Sequence, residues 1–239
     1  MQASTSILEK QPQVEQAQAE QPAVRVERRT QFGRFVQNPH TSGVDIKWHY
    51  GVVNSNARER LMRQSPATMW LTGLSGAGKS TLAYALEKIL LERGHCCFVV
   101  DGDNLRHHLN SDLGFSANDR RENIRRAAEV AHLMNEAGII AITAFISPFR
   151  DDRAMAKEII GEERFVEVHV STPGVTCERR DPKGLYAKAR RGEIPEFTGV
   201  SAPYEMPLDP DLEINSEQHT IEEAAEKLYK HLIGLCYIK

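Results

Sequence analysis

Neither sign of charge dominates this chain of 239 residues: 30 Lys and Arg stand against 33 Asp and Glu, for a formal charge of −3. That balance excludes the broad positive field by which a basic protein holds nucleic acid, so any anion site has to be local. Long apolar runs are missing as well. No stretch approaches the ~20 residues a bilayer-spanning helix needs, and the N-terminus has no apolar signal-peptide core; no membrane partner is expected, and a cytoplasmic setting is. The four cysteines, Cys96, Cys97, Cys177 and Cys236, have no paired C-x-x-C spacing. With Cys96 and Cys97 in an apolar strand-like run, buried thiols are expected rather than zinc ligands or disulfides.

What is present is enough apolar material, 41% of the residues, to build the core of one ordinary domain. It is unevenly spread. Residues 1 to about 40 are rich in Gln, Ala and Glu and are interrupted by Pro12, Pro22 and Pro39; this composition predicts a disordered extension. Residues 41–239 are expected to form the folded domain. From Met69 onward, short apolar runs alternate with longer periodic segments, the pattern of βαβ units around a parallel sheet. Strands are expected at 68–72, 96–101, 139–146, 165–170 and 212–214, and helices at 79–93, 119–137, 151–160 and 221–232. The fold class is therefore α/β, a parallel sheet of about five strands flanked by helices. Ser116 stands three residues before Asp119 and Thr220 three before Glu223, the spacing of helix-capping boxes.

The strongest motif is Gly73-Leu74-Ser75-Gly76-Ala77-Gly78-Lys79-Ser80-Thr81, which fits G-x-x-x-x-G-K-[ST] and lies between an expected strand and an expected helix, where the mechanism needs it. Glycines let consecutive N–H groups turn toward phosphate oxygens at a helix N-terminus. Lys79 then neutralises charge between the β- and γ-phosphates of ATP, and the Ser80 hydroxyl is a ligand for Mg²⁺. The second strand runs into Asp101-Gly102-Asp103-Asn104-Leu105-Arg106, placing two carboxylates at the carboxyl edge of the sheet, where α/β proteins bind ligands. Asp101 is a candidate for holding Mg²⁺ and Asp103 for accepting a proton from an attacking hydroxyl. A carboxylate is a weak base, which is tolerable when the proton leaves late in a loose transition state. The plainer alternative is that Asp103 caps a helix. Arg106 follows Asp103 by three residues, and Arg120 precedes Asn123 by three, so each pair shares a face if helical. Guanidinium forks suit tetrahedral oxyanions. Arg121, Arg125 and Arg126 crowd the same stretch, so Arg120 could equally be a solvated surface residue.

Together with Leu113-Gly114-Phe115-Ser116, Asp119-Arg120-Arg121-Glu122-Asn123, Phe145-Ile146-Ser147-Pro148-Phe149-Arg150, Asp181-Pro182-Lys183-Gly184-Leu185-Tyr186 and Phe197-Thr198-Gly199, these residues resemble the adenylylsulfate kinase family. The resemblance covers roughly residues 46 to 238, including Trp48-His49 and Arg58-Glu59-Arg60 ahead of the loop. It implies a P-loop NTPase fold with a mobile lid, ATP and adenosine 5′-phosphosulfate as partners, and a homodimer. By the same resemblance, Phe115 and Phe197 sandwich the adenine of adenylylsulfate, Arg106, Arg120 and Asn123 contact its phosphosulfate and ribose, Ile146 and Leu185 line that pocket, and Lys183 and Arg180 belong to the lid over the two nucleotides. Ser147 matches a serine for which a phosphorylated intermediate can be drawn, although in-line transfer needs none and substrate contact is the simpler role. The departures are small. Ala77 stands where the family often has Ser, in a loop that works through backbone N–H groups, and Val200-Ser201-Ala202 replaces a more acidic stretch. With the chain closing soon after Tyr237, no sulfurylase fusion is expected. The competing readings are a kinase for a nucleoside monophosphate or a sugar acid, which would share the loop and sheet, and a GTP switch, for which no N-K-x-D element is found.

Overall fold

The computed structural model describes His49 and residues 51–238. The expected extension, residues 1–40, and Trp48 lie outside them. Five strands, β1 (Thr68–Thr72), β2 (Cys97–Asp101), β3 (Ile140–Ala144), β4 (Phe165–Val170) and β5 (Leu212–Ile214), form one sheet in the order β2-β3-β1-β4-β5, and every pairing is parallel. The helices are α1 (Ser55–Met62), α2 (Lys79–Glu92), α3 (Gly102–His107), α4 (Ala117–Glu136), α5 (Arg150–Ile160), α6 (Gly174–Arg180), α7 (Leu185–Arg190) and α8 (Ile221–Gly234).

Parallel strands must be covered on both faces, and alternation along β1 shows how that is done. Met69 and Leu71 join a core with Leu82, Leu86 and Leu90 of α2 and Leu228 and Leu232 of α8. Trp70, between them, points to the opposite layer with Ile124, Ala127, Ala128 and Ala131 of α4 and Ala156 and Ile160 of α5. There its indole stacks on Phe145 and Phe165, at centroid separations of 5.4 and 5.7 Å. The three neighbouring alanines on α4 let that helix lie close to the sheet. The connection leaving β1 runs through α2 on one face to β2, and the one leaving β3 runs through α5 on the other face to β4. Adjacent strands whose connections depart in opposite directions open a crevice at their carboxyl ends, the usual ligand position of such folds.

Helix starts follow the capping rules. The Ser116 side chain accepts from Asp119 N at 3.2 Å, which makes Ser116 the N-cap and begins α4 at Ala117, two residues before the expected start. Thr220 and Glu223 form a reciprocal capping box at α8. The cysteine expectation needs correction. Cys177 is buried, but Cys96 and Cys236 are exposed and Cys97 is half-buried; all four are free. For Cys96 and Cys97 the physical reason is that β2 is an edge strand with a single neighbour, so an apolar run there is not sealed, and Phe98 beside them is 55% exposed; Cys236 follows the end of α8 at the surface. Burial, aided by the Glu87 carboxylate, still pushes the Cys97 thiol up to about 12.

Candidate active site

The phosphate loop occupies the turn from β1 into α2. Gly73 and Gly76 have φ of +154° and +75°, and a Cβ on either would stand 2.6 Å from Val170 O or 2.9 Å from Cys177 O. The loop is thus pressed against β4 and α6 so closely that only glycine fits. Lys79 begins α2 and folds back, its Nζ donating to Gly73 O at 2.9 Å and Leu74 O at 2.8 Å. Burial pulls its pKa down to about 8. Among the described residues it donates to two carbonyls and no carboxylate, and it is suited to donate to phosphate oxygens in their place. Ser80 Oγ donates to Asp101 Oδ2 at 2.6 Å, while Asp101 Oδ1 accepts from Asp103 N and Asn104 N at 2.9 and 3.3 Å. Asp101, rather than Asp103, therefore caps α3. A hydroxyl and a carboxylate this close form the sparse, hard-oxygen donor set that Mg²⁺ uses when phosphates and water complete its shell; among the described residues no group of three or more His, Cys, Asp or Glu could hold a metal alone.

Asp103 is exposed on α3 and forms an ion pair with Lys183, from the turn between α6 and α7. That turn is built by Asp181, whose carboxylate accepts from Tyr186 N and Ala187 N at 3.1 Å each. Tyr186 in turn donates through its hydroxyl to Ser75 O at 3.0 Å, fastening α7 to the phosphate loop. Arg180 is exposed and donates to Ser216 Oγ at 2.8 Å; Ser216 also lies 2.7 Å from Thr172 Oγ1, which bonds Ala77 O at 2.9 Å.

Among the described residues Arg106 and Arg120 have no carboxylate within ion-pair distance. Arg106 donates to Leu113 O and Gly114 O at 3.1 and 2.7 Å. Arg120 donates to Phe115 O at 2.8 Å, Glu196 O at 3.1 Å and Thr198 Oγ1 at 3.4 Å. Desolvation lowers the pKa of both, and the charge of Arg120 lowers that of Arg106 further. Two partly buried cations thus lie close together, hydrogen-bonded to carbonyls and a hydroxyl, with Asp103, Asp119 and Glu196 acting on them only through their charge, and they are candidates for a local anion site. Arg121, Arg125 and Arg126, by contrast, are all paired with carboxylates, which separates them from Arg120 as spacing alone could not. The Phe115 ring is 66% exposed and lies under the Arg106 guanidinium, 4.5 Å from centroid to Cζ.

A family model for adenylylsulphate kinase matches residues 65–215. The chain belongs to the adenylylsulfate kinase family. The probable adenylyl-sulfate kinase of Halalkalibacterium halodurans is 54% identical over 187 residues, 78% of this chain and 93% of that one. The Mycobacterium tuberculosis APS kinase, in a complex with AMPPNP and APS, superposes with a TM-score of 0.69 at 48% identity, covering 71% of this chain and 99% of that chain. A hexameric APS kinase from Thiobacillus denitrificans gives 0.57 at 35% identity, over 76% of this chain and 31% of that chain.

Against the expectations for an adenylylsulfate kinase, three placements stand out. Phe197 is only 6% exposed and packs edge-on against Tyr186, ring centroids 5.0 Å apart, so its ring is enclosed by protein while that of Phe115 is largely exposed. Ser147, with φ of +38°, is 2% exposed and its Oγ accepts from Trp70 Nε1 at 3.2 Å. Its carbonyl is held by Arg153 at 2.7 Å. Ile146 and Leu185 are half-buried, and the Ile146 carbonyl accepts from Thr72 Oγ1 at 2.8 Å. Sequence reasoning missed the supports of this kinase site: Tyr186, Arg153, and Tyr204, whose hydroxyl meets Thr72 Oγ1 at 3.0 Å. Arg153 pairs with Glu167 and also donates to Glu205 O at 2.8 Å. The bonds from Tyr186 to Ser75, Tyr204 to Thr72 and Arg153 to Glu205 leave no periodic signal, because each joins segments far apart in the chain.

Proposed function

We propose that the chain transfers the γ-phosphoryl group of ATP to the 3′-hydroxyl of adenosine 5′-phosphosulfate, giving 3′-phosphoadenosine 5′-phosphosulfate and ADP in sulfate activation. The observation that carries this reading is the conjunction, on a P-loop sheet, of Lys79 held by carbonyls alone with two unpaired guanidiniums beside an exposed aromatic ring. Residues 73–81 cradle the donor phosphates, and Arg180 sits at the donor side through Ser216. Arg106, Arg120 and Asn123 bind the acceptor, with Phe115 as the stacking surface and Ile146, Leu185 and Phe197 as walls. When bound with ATP, Mg²⁺ supplies neutralising charge at the phosphates; Ser80 and Asp101 would hold it. Asp103 accepts the proton of the attacking hydroxyl once Lys183 releases it for the incoming anions. A serine sealed against Trp70 supports direct transfer, with Ser147 shaping the turn before Pro148 rather than carrying phosphate. The free cysteines and the demand for ATP agree with a cytoplasmic setting, and a homodimer is the assembly we expect from the family.

Purified protein with Mg·ATP and adenosine 5′-phosphosulfate should give a product one phosphoryl group heavier than the acceptor, read by mass. AMP or a sugar acid in place of the phosphosulfate should give none. Equal turnover of AMP would transfer the assignment to a nucleoside monophosphate kinase.

A further inference from the structure

Two fully buried asparagines are treated differently by this fold. Asn135 uses its whole amide: Oδ1 accepts from Thr68 Oγ1 at 2.9 Å, and Nδ2 donates to Ala67 O and Ile139 O at 3.0 Å each. Asn110, also 0% exposed, donates through Nδ2 to Asn123 Oδ1 at 2.9 Å, while its own Oδ1 is sealed with no partner. Its position is not adjustable. Asn110 N donates to Leu105 O at 2.8 Å and its carbonyl accepts from Leu113 N at 3.1 Å. Arg126 clamps the same loop by donating to Leu109 O and to both oxygens of Asp112.

The half-satisfied amide has a consequence for its partner. Asn123 lies one turn beyond Arg120 on α4, and with Oδ1 committed to Asn110 its Nδ2 is turned the other way. Among the described residues that nitrogen has no hydrogen-bond partner and, unlike Asn110 Oδ1, it is not sealed off. Turning both amides over would put Asn123 Nδ2 on Asn110 Oδ1 and seal the two N–H donors of Asn110 against no acceptor. An orphaned carbonyl oxygen is the more tolerable of the two. The orientation of Asn123 is therefore decided by Asn110.

We propose that Asn110 is a positioning residue that holds Asn123 with its NH₂ group toward the acceptor nucleotide, so that the atom received there must be a hydrogen-bond acceptor. This rests on the reading of Asn123 as an acceptor contact. The test is a double-mutant cycle on the full chain, with KM measured for each substrate in Asn110→Leu, Asn123→Ala and the double variant. Asn110→Leu should raise the adenylylsulfate KM about tenfold, the worth of one oriented hydrogen bond to a charged ligand, and leave the ATP KM within about twofold. In the Asn123→Ala background it should add less than about twofold. Asn110→Asp should be worse than Leu, because a carboxylate accepts from Asn123 Nδ2 and turns Oδ1 toward the ligand's acceptor atom. The idea is overturned if Asn110→Leu raises both KM values alike, leaves the acceptor KM unchanged, or keeps its full effect without the Asn123 amide. Asn110→Ala repeats the cycle should the leucine not fold. Wild-type protein inert toward adenylylsulfate would sink the functional assignment instead, a distinct result.

Discussion

The proposed donor and acceptor halves of this site are built on different plans. The donor half is one continuous segment, Gly73 to Thr81, whose shape is set by glycines pressed against Val170 and Cys177 and whose charge comes from one buried lysine. The acceptor half is gathered from α3, α4, the 108–116 loop and the 196–198 segment, and is tied together by arginines donating to backbone carbonyls. In the first, the ligand-binding groups are also the local fold. In the second, the cations proposed to meet ligand are simultaneously the fasteners of the loops around them, so binding and architecture are hard to perturb separately.

The largest expected effect probes whether Phe197 belongs to the acceptor pocket or to the core. Phe197→Ala should lower stability by about 3–5 kcal/mol, as for a buried phenylalanine, seen as a reduced denaturant midpoint without ligand; an unchanged midpoint would make it a free stacking face. On the donor side, Lys79→Ala should fold normally and lose about 10²–10³ in kcat/KM, and turnover near wild type would remove the phosphate-loop assignment. Arg120→Ala should weaken adenylylsulfate by about 2–3 kcal/mol, with lysine restoring only part because it cannot reproduce the planar fork; titration calorimetry with ATP alone should show little change. A comparable loss of ATP affinity would mean the two halves have been assigned the wrong way round. Phe115→Ala should cost about 1–2 kcal/mol of acceptor binding through lost stacking and almost nothing in stability, the reverse of Phe197.

The smallest effect is a proton count. Because burial lowers Lys79 from 10.5 to about 8, its charged form is penalised in the folded protein below that pH, and the penalty is relieved as pH rises from about 8 toward 10.5. Triphosphate favours the charged form, so ATP binding above pH 8 should take up protons, measured by calorimetry in buffers of different ionisation enthalpy. The uptake should be absent in Lys79→Ala; if it persists there, another group titrates.

Much of the architecture was legible beforehand. The runs 68–72, 165–170 and 212–214 coincide with β1, β4 and β5, and the capping residues Ser116 and Thr220 mark real helix starts, since periodicity and capping are local properties of the chain. The short helices α1, α3, α6 and α7, each of six to eight residues, escaped because so few turns carry no periodic signature. The exposure of Cys96 escaped because nothing in an apolar run says whether its strand is central or at the edge.

The same division runs through the site. By itself the sequence determined the phosphate loop, the carboxylates after β2 and the family, because glycine spacing, a lysine at a helix start and an ordered set of motifs are properties of contiguous residues. Only the tertiary structure decided that Arg120 is the unpaired arginine among its neighbours, that Asp101 rather than Asp103 caps α3, that Phe197 is packed while Phe115 is open, and that Asn110 orients Asn123. Each of those outcomes depends on which distant carbonyl, carboxylate or ring arrives beside a side chain, and proximity between remote segments is created by packing.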